Sequence, residues 1–414
     1  MIWEKLNFLY HSDFRPVGHD SFGEGVRGYY NEWMSLASCQ KIVIKLGTKV
    51  VTGSGGGFEQ GRLANIVADV AALKKAGKEV LIVSSGAVGL GRQVLNQHEK
   101  GSLSFRQACA AVGQNLLMTA YQGLFASHGL TVAQVLVTAG DLADRGKYLN
   151  LRAMLTDLLA LGIVPIINEN DSVSTMELME YGKEKVFGDN DKLSALVACK
   201  LGADALILLT DVEAVYDKNP KIHQDAKRLP VLRGAEDLRA IDKTGKSGEG
   251  RGGMDSKIQA VQLASLSGVL SVIAAGMGEN IVADLISTHG QQLGTQILPI
   301  RKASARQQWI GFSSGVEGAL VVNHGAQSAL EEGAASLLPI GVCEVLGEFA
   351  EGQVVSVQNE SGTEVARGIV AFSSEDLKKV IGKKSAEISK ILGKKCPDEA
   401  IHRDRLFVFN EKVL

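Results

Sequence analysis

Proline is scarce, at 7 of 414 residues, and cysteine scarcer still, at 5. Glycine, by contrast, stands at 47. That combination indicates tight backbone approaches in loops rather than disorder. The cysteines (Cys39, Cys109, Cys199, Cys343, Cys396) are odd in number, far apart and form no CxxC. They fit neither a disulfide framework nor a zinc site, and a reducing cytoplasm is the expected compartment. No HxxxH or similar cluster occurs among the histidines, so no protein-ligated metal is expected. No apolar run approaches the ~18 residues of a membrane helix. The longest, Leu158 to Ile167, is interrupted by Gly162 and Pro165. Charge of one sign is lacking too, since 44 basic and 46 acidic side chains leave a formal net of -2. This excludes a general electrostatic grip on nucleic acid or an anionic membrane. A GxxxxGK[ST] phosphate loop is also missing, which rules out a P-loop protein.

The first 33 residues stand apart. They hold eight of the 22 aromatic residues, among them Trp3, Tyr29, Tyr30 and Trp33, without helical or strand periodicity. They lack the basic start and apolar core of a secretory signal. Two readings stay open: an arm that packs on a neighbouring subunit, or a dispensable extension with Met34 as the working start.

From Lys41 onward short apolar runs alternate with amphipathic helical sequence. KIVIKL (41–46), EVLIVSS (79–85), TVAQVLV (131–137), GIVPIIN (162–168), ALILLT (205–210) and VLSVIAA (269–275) read as buried strands. Strands separated by helices predict an α/β fold, a mostly parallel sheet covered by helices on both faces. Ligands of such sheets gather at the carboxyl ends of the strands. After about residue 310 the pattern changes to short strands with glycine turns: ALVV (319–322), VCEVLG (342–347), VVSVQN (354–359) and EVARGIVAF (364–372). A small β-rich module follows, joined through QILPIRKASARQQW (296–309). The expected organisation is an N-terminal extension (1–38), a catalytic domain (39–300), a linker (301–315), a β-rich domain (316–398) and a tail (399–414).

The polar residues fall where that fold would use them. Lys45 ends the first strand, ahead of Gly47 and Thr48. Ser85 and Gly86 form a small-residue turn into a helix, which is either an anion cradle or merely a tight turn. Asn168, Glu169, Asn170 and Asp171 close the apolar strand GIVPIIN. Gly188, Asp189, Asn190 and Asp191 precede a helix with more acid and amide than capping requires. Thr210 and Asp211 end ALILLT. Finally GEGRGGMDSK (248–257) is a glycine-rich loop entering a helix, with Lys257 in the first turn. A cation there opposes the helix dipole and points to an anion nearby.

Taken together, VIKLGT (43–48), VSSGAVGLG (83–91), VPIINENDSV (164–173), GDNDKLSA (188–195), LLTD (208–211) and RGGMDSK (251–257) resemble the amino acid kinase family over about residues 39–410. The pairing of NEND with GDND resembles the branch that phosphorylates glutamate. The C-terminal module resembles a PUA domain, through AASLLPIGV (334–342), VARGIV (365–370) and AIHRDRL (400–406). Two departures stand out: Arg251 replaces the family's usual threonine before Gly-Gly-Met, and the segment 172–187 is longer than usual.

The resemblance implies ATP-dependent phosphorylation of the γ-carboxylate of L-glutamate, the first step of proline biosynthesis. It implies Lys45, Lys257 and Asp191 as catalytic residues, with the aspartate orienting the lysines. Ser85, Gly86, Asn168, Asp171 and Asn190 would bind glutamate. Lys45, Thr210, Asp211, Arg251, Gly252, Gly253, Met254, Asp255, Ser256 and Lys257 would hold ATP, and Mg²⁺ would ride on its phosphates. A homodimer or tetramer and feedback by proline are also implied. The alternatives are an N-acetylglutamate or uridylate kinase of the same fold, or a PUA-type RNA-binding protein built on a kinase-like scaffold.

Overall fold

The computed structural model describes residues 35–53, 57–96, 102–173, 190–220, 222–233, 237, 253–287, 293–299, 305–312, 316–332, 335–383, 385–393 and 396–409. The aromatic-rich N-terminal segment, residues 174–187 of the longer-than-usual segment 172–187, and Gly188, Asp189, Arg251 and Gly252 lie outside them.

Each apolar run forms a strand within two residues of its expected bounds. These are β1 (Lys41–Leu46), β2 (Glu79–Ser84), β3 (Val132–Val137), β4 (Val164–Glu169) and β5 (Ala205–Thr210). Two short strands, β6 (Val231–Leu232) and β8 (Thr295–Ile297), flank β7 (Leu270–Ala275) in chain order. The sheet runs β3-β4-β2-β1-β5-β7-β8-β6. Every described pairing in it is parallel except β7 with β8, which is antiparallel.

Side-chain alternation sorts the sheet into two cores. Val43, Leu81, Val83, Ile167 and Leu208 face one side, where α7 (Asn190–Leu201) and α8 (Met254–Leu266) pack together with α5 (Ala139–Ala143) and α6 (Arg145–Ala160). Ile42, Ile44, Val80, Ile82, Val164 and Ile166 face the other. That side is covered by α2 (Gln60–Lys75), α4 (Leu103–Ala126) and α9 (Ile281–Ile286). Two short helices, α1 (Thr48–Thr52) and α3 (Ala87–Val94), follow β1 and β2 directly. The backbones of α3 and α4 touch: a Cβ on Gly113 would lie 1.8 Å from the Ala87 carbonyl oxygen. Only glycine fits there, and this close approach sets α4 beneath the β2 turn.

The alternation decides which side chains meet at the strand ends. Lys45 shares the face of Val43, towards α7 and α8. Ser84 and Asn168 share the faces of Ile82 and Ile166, towards α4.

The segment read as a linker contains a helix, α10 (Ala305–Phe312). Ile310 and Trp309 of α10 pack with Leu266 of α8 and with Val354 and Phe407 of the C-terminal module. The linker is therefore partly a joint, because a few large residues carry the packing. The module is a five-stranded sheet of β9 (Gly318–Val322), β10 (Val342–Gly347), β11 (Val354–Gln358), β12 (Glu364–Ile369) and β13 (Leu406–Val408), ordered β10-β9-β11-β12-β13. Its last strand comes from beyond residue 398, in the stretch the sequence reading assigned to a tail. Around the sheet lie α11 (His324–Glu331), α12 (Ser374–Val380) and α13 (Ser385–Leu392). Among the described residues, no helix is long and apolar enough to cross a membrane.

Candidate active site

The carboxyl ends of β1, β2 and β4 meet the start of α7, where Asp191 and Asn190 lie. Asp191, in the first turn of α7, is fully buried. Its Oδ1 lies 2.5 Å from Lys45 Nζ, and its Oδ2 lies 3.1 Å from Lys257 Nζ. The Ser256 hydroxyl donates to Oδ2 at 3.0 Å. Both lysines are at most 5% exposed, so water screens none of these charges well. Burial pushes the Asp191 carboxyl up, but the Lys45 and Lys257 ammonium groups outweigh it and hold the group well below its ordinary value. It is a carboxylate at every physiological pH. The cluster carries two positive charges against one negative, an excess suited to an anion.

The lysine in the first turn of α8 is thereby explained. Lys257 opposes the helix dipole, and the buried carboxylate of Asp191 compensates it locally. The spacing of α8 does the rest: Ile258 and Val261 bury against the sheet and fix the helix, while Gly253 caps it.

Beside this charge cluster lies an uncharged polar one. The Asn190 amide donates to the Ser84 carbonyl at 3.1 Å, to Ser85 Oγ at 2.9 Å and to Asn168 Oδ1 at 3.0 Å. Asn168 Oδ1 also accepts the Glu169 backbone N–H at 2.9 Å, and its Nδ2 donates to Gln114 Oε1 at 2.9 Å. Ser84 Oγ is 2.8 Å from the buried Tyr121 hydroxyl. Gly86, with φ of 105°, adopts a left-handed conformation, and a Cβ there would lie 3.0 Å from Val51. Glycine is thus required to let the chain turn from β2 into α3. Asp171 stands two residues after β4, on a turn.

A third group lies at the end of β5. Thr210 Oγ1 donates to Asp211 Oδ1 at 3.1 Å, and Lys49 Nζ pairs with Asp211 Oδ2 at 2.8 Å. Partial burial raises the Asp211 carboxyl, while Lys49 pulls it below its ordinary value. Gly47 at the start of α1 passes the β5 end closely: its N–H donates to the Leu209 carbonyl at 2.9 Å.

The structure therefore brings Lys45, Asp191, Ser256 and Lys257 into contact, and separately Ser85, Asn168 and Asn190. Gly253, Met254 and Asp255 begin the helix that carries Ser256 and Lys257. Three polar residues escaped the sequence reading: Lys49, Gln114 and Tyr121. Gln114 and Tyr121 sit two turns apart on α4, in a buried stripe with Leu117 and Phe125. A glutamine on the apolar stripe of a helix was the available signal.

The amino acid kinase family model matches residues 40–308, and the PUA domain model matches residues 318–392. The chain belongs to the amino acid kinase family. Among curated relatives in this family, the glutamate 5-kinase of Ralstonia nicotianae is 43% identical over 374 residues, covering 90% of this chain and 98% of that one. The glutamate 5-kinase of Trichlorobacter lovleyi is 41% identical, with 90% and 97% covered. That of Caldanaerobacter subterraneus subsp. tengcongensis is 41% identical, with 89% and 97% covered.

Proposed function

We propose that this chain transfers the γ-phosphoryl group of ATP to the γ-carboxylate of L-glutamate, giving L-glutamate 5-phosphate, the first step of proline biosynthesis. The observation that carries this reading is the buried pair of lysines held on one carboxylate at the strand ends, beside a neutral amide and hydroxyl pocket.

A carboxylate with an ordinary pKa near ~4.3 is already ionised at neutral pH, so attack on phosphorus needs no general base. What the step requires is alignment and positive charge around the transferring phosphoryl. Lys45 and Lys257 supply that charge, and Asp191 fixes their positions. Ser85, Gly86, Asn168 and Asn190 hold the glutamate, while Asp171 pairs with its α-ammonium. Thr210, Asp211 and the 251–257 loop hold the nucleotide. The contacts of Asp191 with Lys45, Lys257 and Ser256 suit it to orient cations rather than to ligate a metal. Mg²⁺ accompanying ATP would supply further neutralisation of phosphate charge beside Lys45 and Lys257.

The catalytic part spans 39–300, and the PUA domain spans 316–398 together with β13 (Leu406–Val408). The enzyme works in the cytoplasm as a dimer or tetramer under proline feedback, and binds no nucleic acid tightly. An N-acetylglutamate kinase is the weaker reading, since an acetylated substrate offers no ammonium to Asp171. Trapping the acyl phosphate as a hydroxamate, with glutamate, N-acetylglutamate and aspartate in parallel, tests the proposal. Turnover of glutamate alone is expected; preference for N-acetylglutamate would defeat it.

A further inference from the structure

The orientation of the amide network follows from two backbone groups. The Ser84 carbonyl can only accept, so the atom of Asn190 that meets it is the amide nitrogen. The Glu169 N–H can only donate, so the atom of Asn168 that meets it is Oδ1. Asn168 therefore presents Nδ2 to Gln114, and Gln114 must answer with Oε1. Its other end, Nε2, is then a donor. That nitrogen is buried and has no hydrogen-bond partner among the described residues, and the whole residue is 7% exposed. A buried donor left without an acceptor is costly, so such a group is kept where something accepts from it.

What accepts is indicated by the neighbours. Gln114 joins directly to Asn168, which joins to Asn190 and through it to Ser85. Next to Gln114, Gly113 packs on Ala87, the first residue after the Ser85–Gly86 turn. Ser85 Oγ accepts from Asn190, which leaves its own hydrogen to donate. Donors thus collect on one side of the pocket, a setting for an acceptor-only group such as a carboxylate.

We propose that Gln114 is a further substrate-binding residue, its Nε2–H donating to a carboxylate oxygen of the bound amino acid. This rests on reading the pocket as the glutamate site. Gln114→Glu is the informative variant. It keeps the shape and the acceptor oxygen that Asn168 uses, and it replaces only the free donor with an acceptor carrying negative charge. Steady-state kinetics are expected to show the glutamate KM raised at least tenfold, with ATP KM and kcat each within about threefold of the wild type. A merely structural glutamine, or one that serves a water molecule, would leave glutamate KM within twofold, and that result overturns the proposal. Should Gln114→Glu fail to fold, wild-type protein with ¹⁵N-labelled glutamine side chains gives the answer. The Gln114 amide resonance, assigned by its loss in Gln114→Met, is expected to move on adding glutamate; no movement at saturation overturns the proposal. Wild-type turnover of glutamate is measured alongside, so an enzyme inert to glutamate refutes the functional reading independently of the variant.

Discussion

Lys45 at the end of β1 and Asp191 at the start of α7 are joined by a 2.5 Å ion pair in which neither residue is more than 4% exposed. Burying such charges is unfavourable unless each is matched, and Asp191 matches two lysines at once. Asp191→Asn removes the charged carboxylate that both lysines meet. A loss of roughly 3–5 kcal/mol in unfolding free energy is expected, the range for breaking a buried pair from one side. Urea titration at pH 7.5 measures it. The same carboxylate titrates below its ordinary value of 3.8, so its contribution is full above that pH and fades as the solution is acidified further. An unchanged urea midpoint in Asp191→Asn would mean that the aspartate does not anchor the lysines.

Asp171→Ala removes the group assigned to the α-ammonium and leaves the lysine cluster untouched. Glutamate KM is expected to rise steeply, by one to two orders of magnitude, for loss of a charge-assisted contact of about 1.5–3 kcal/mol. A rise in ATP KM with glutamate KM unmoved would assign Asp171 to the other ligand.

Away from the site, Lys200 is a buried ammonium whose Nζ donates to the Leu142 carbonyl at 2.7 Å and sits 4.0 Å from the centre of the Tyr148 ring. Burial pulls its pKa down from 10.5 to about 7. The folded protein therefore gives up this proton more readily than the unfolded chain. Below about pH 7 both states are protonated and the full penalty is present. Between about pH 7 and 10.5 the unfolded state holds the extra proton, and stability rises with pH. Lys200→Met is expected to stabilise the protein by roughly 1–4 kcal/mol at pH 6, and by less at pH 9. Thermal unfolding at the two pH values compares them. A gap that widens towards pH 9 would contradict the assignment.

Residues 316–398 carry eight basic against twelve acidic side chains, a poor source of phosphate attraction. The full chain is expected to show no sub-micromolar, salt-sensitive RNA affinity in filter binding. A chain ended at Arg306 is expected to keep glutamate kinase activity but to melt earlier, since Leu266 loses Ile310 and Phe407 as packing partners. Loss of activity at temperatures where the shortened chain stays folded would give the module a catalytic role.

Much of this was legible in the sequence because parallel strands buried on both faces read as continuous apolar runs, and the polar residues that follow them mark the ligand edge. KIVIKL announced β1 and placed Lys45 at its tip. The spacing did not disclose that Lys45 and Lys257 meet on a single oxygen pair, because they reach Asp191 from elements distant in sequence. Strands of two or three residues, β6, β8 and β13, carry too few alternations to show a period. Lys49 carries no signal in the sequence, and only the return of β5 beside α1 gives it Asp211. Gln114 and Tyr121 were hidden for the opposite reason: on a helix they blend into the apolar stripe that buries them.

Lys45 and Lys257 are assigned to the phosphoryl group in flight rather than to bound glutamate, and Lys257→Met, with Lys45→Met beside it, tests that assignment in one steady-state experiment. The expected result is kcat lower by about 10²–10³, the scale for losing one preorganised charge, with glutamate KM within a few-fold of the wild type. A variant that keeps near-normal kcat while glutamate KM climbs would contradict it.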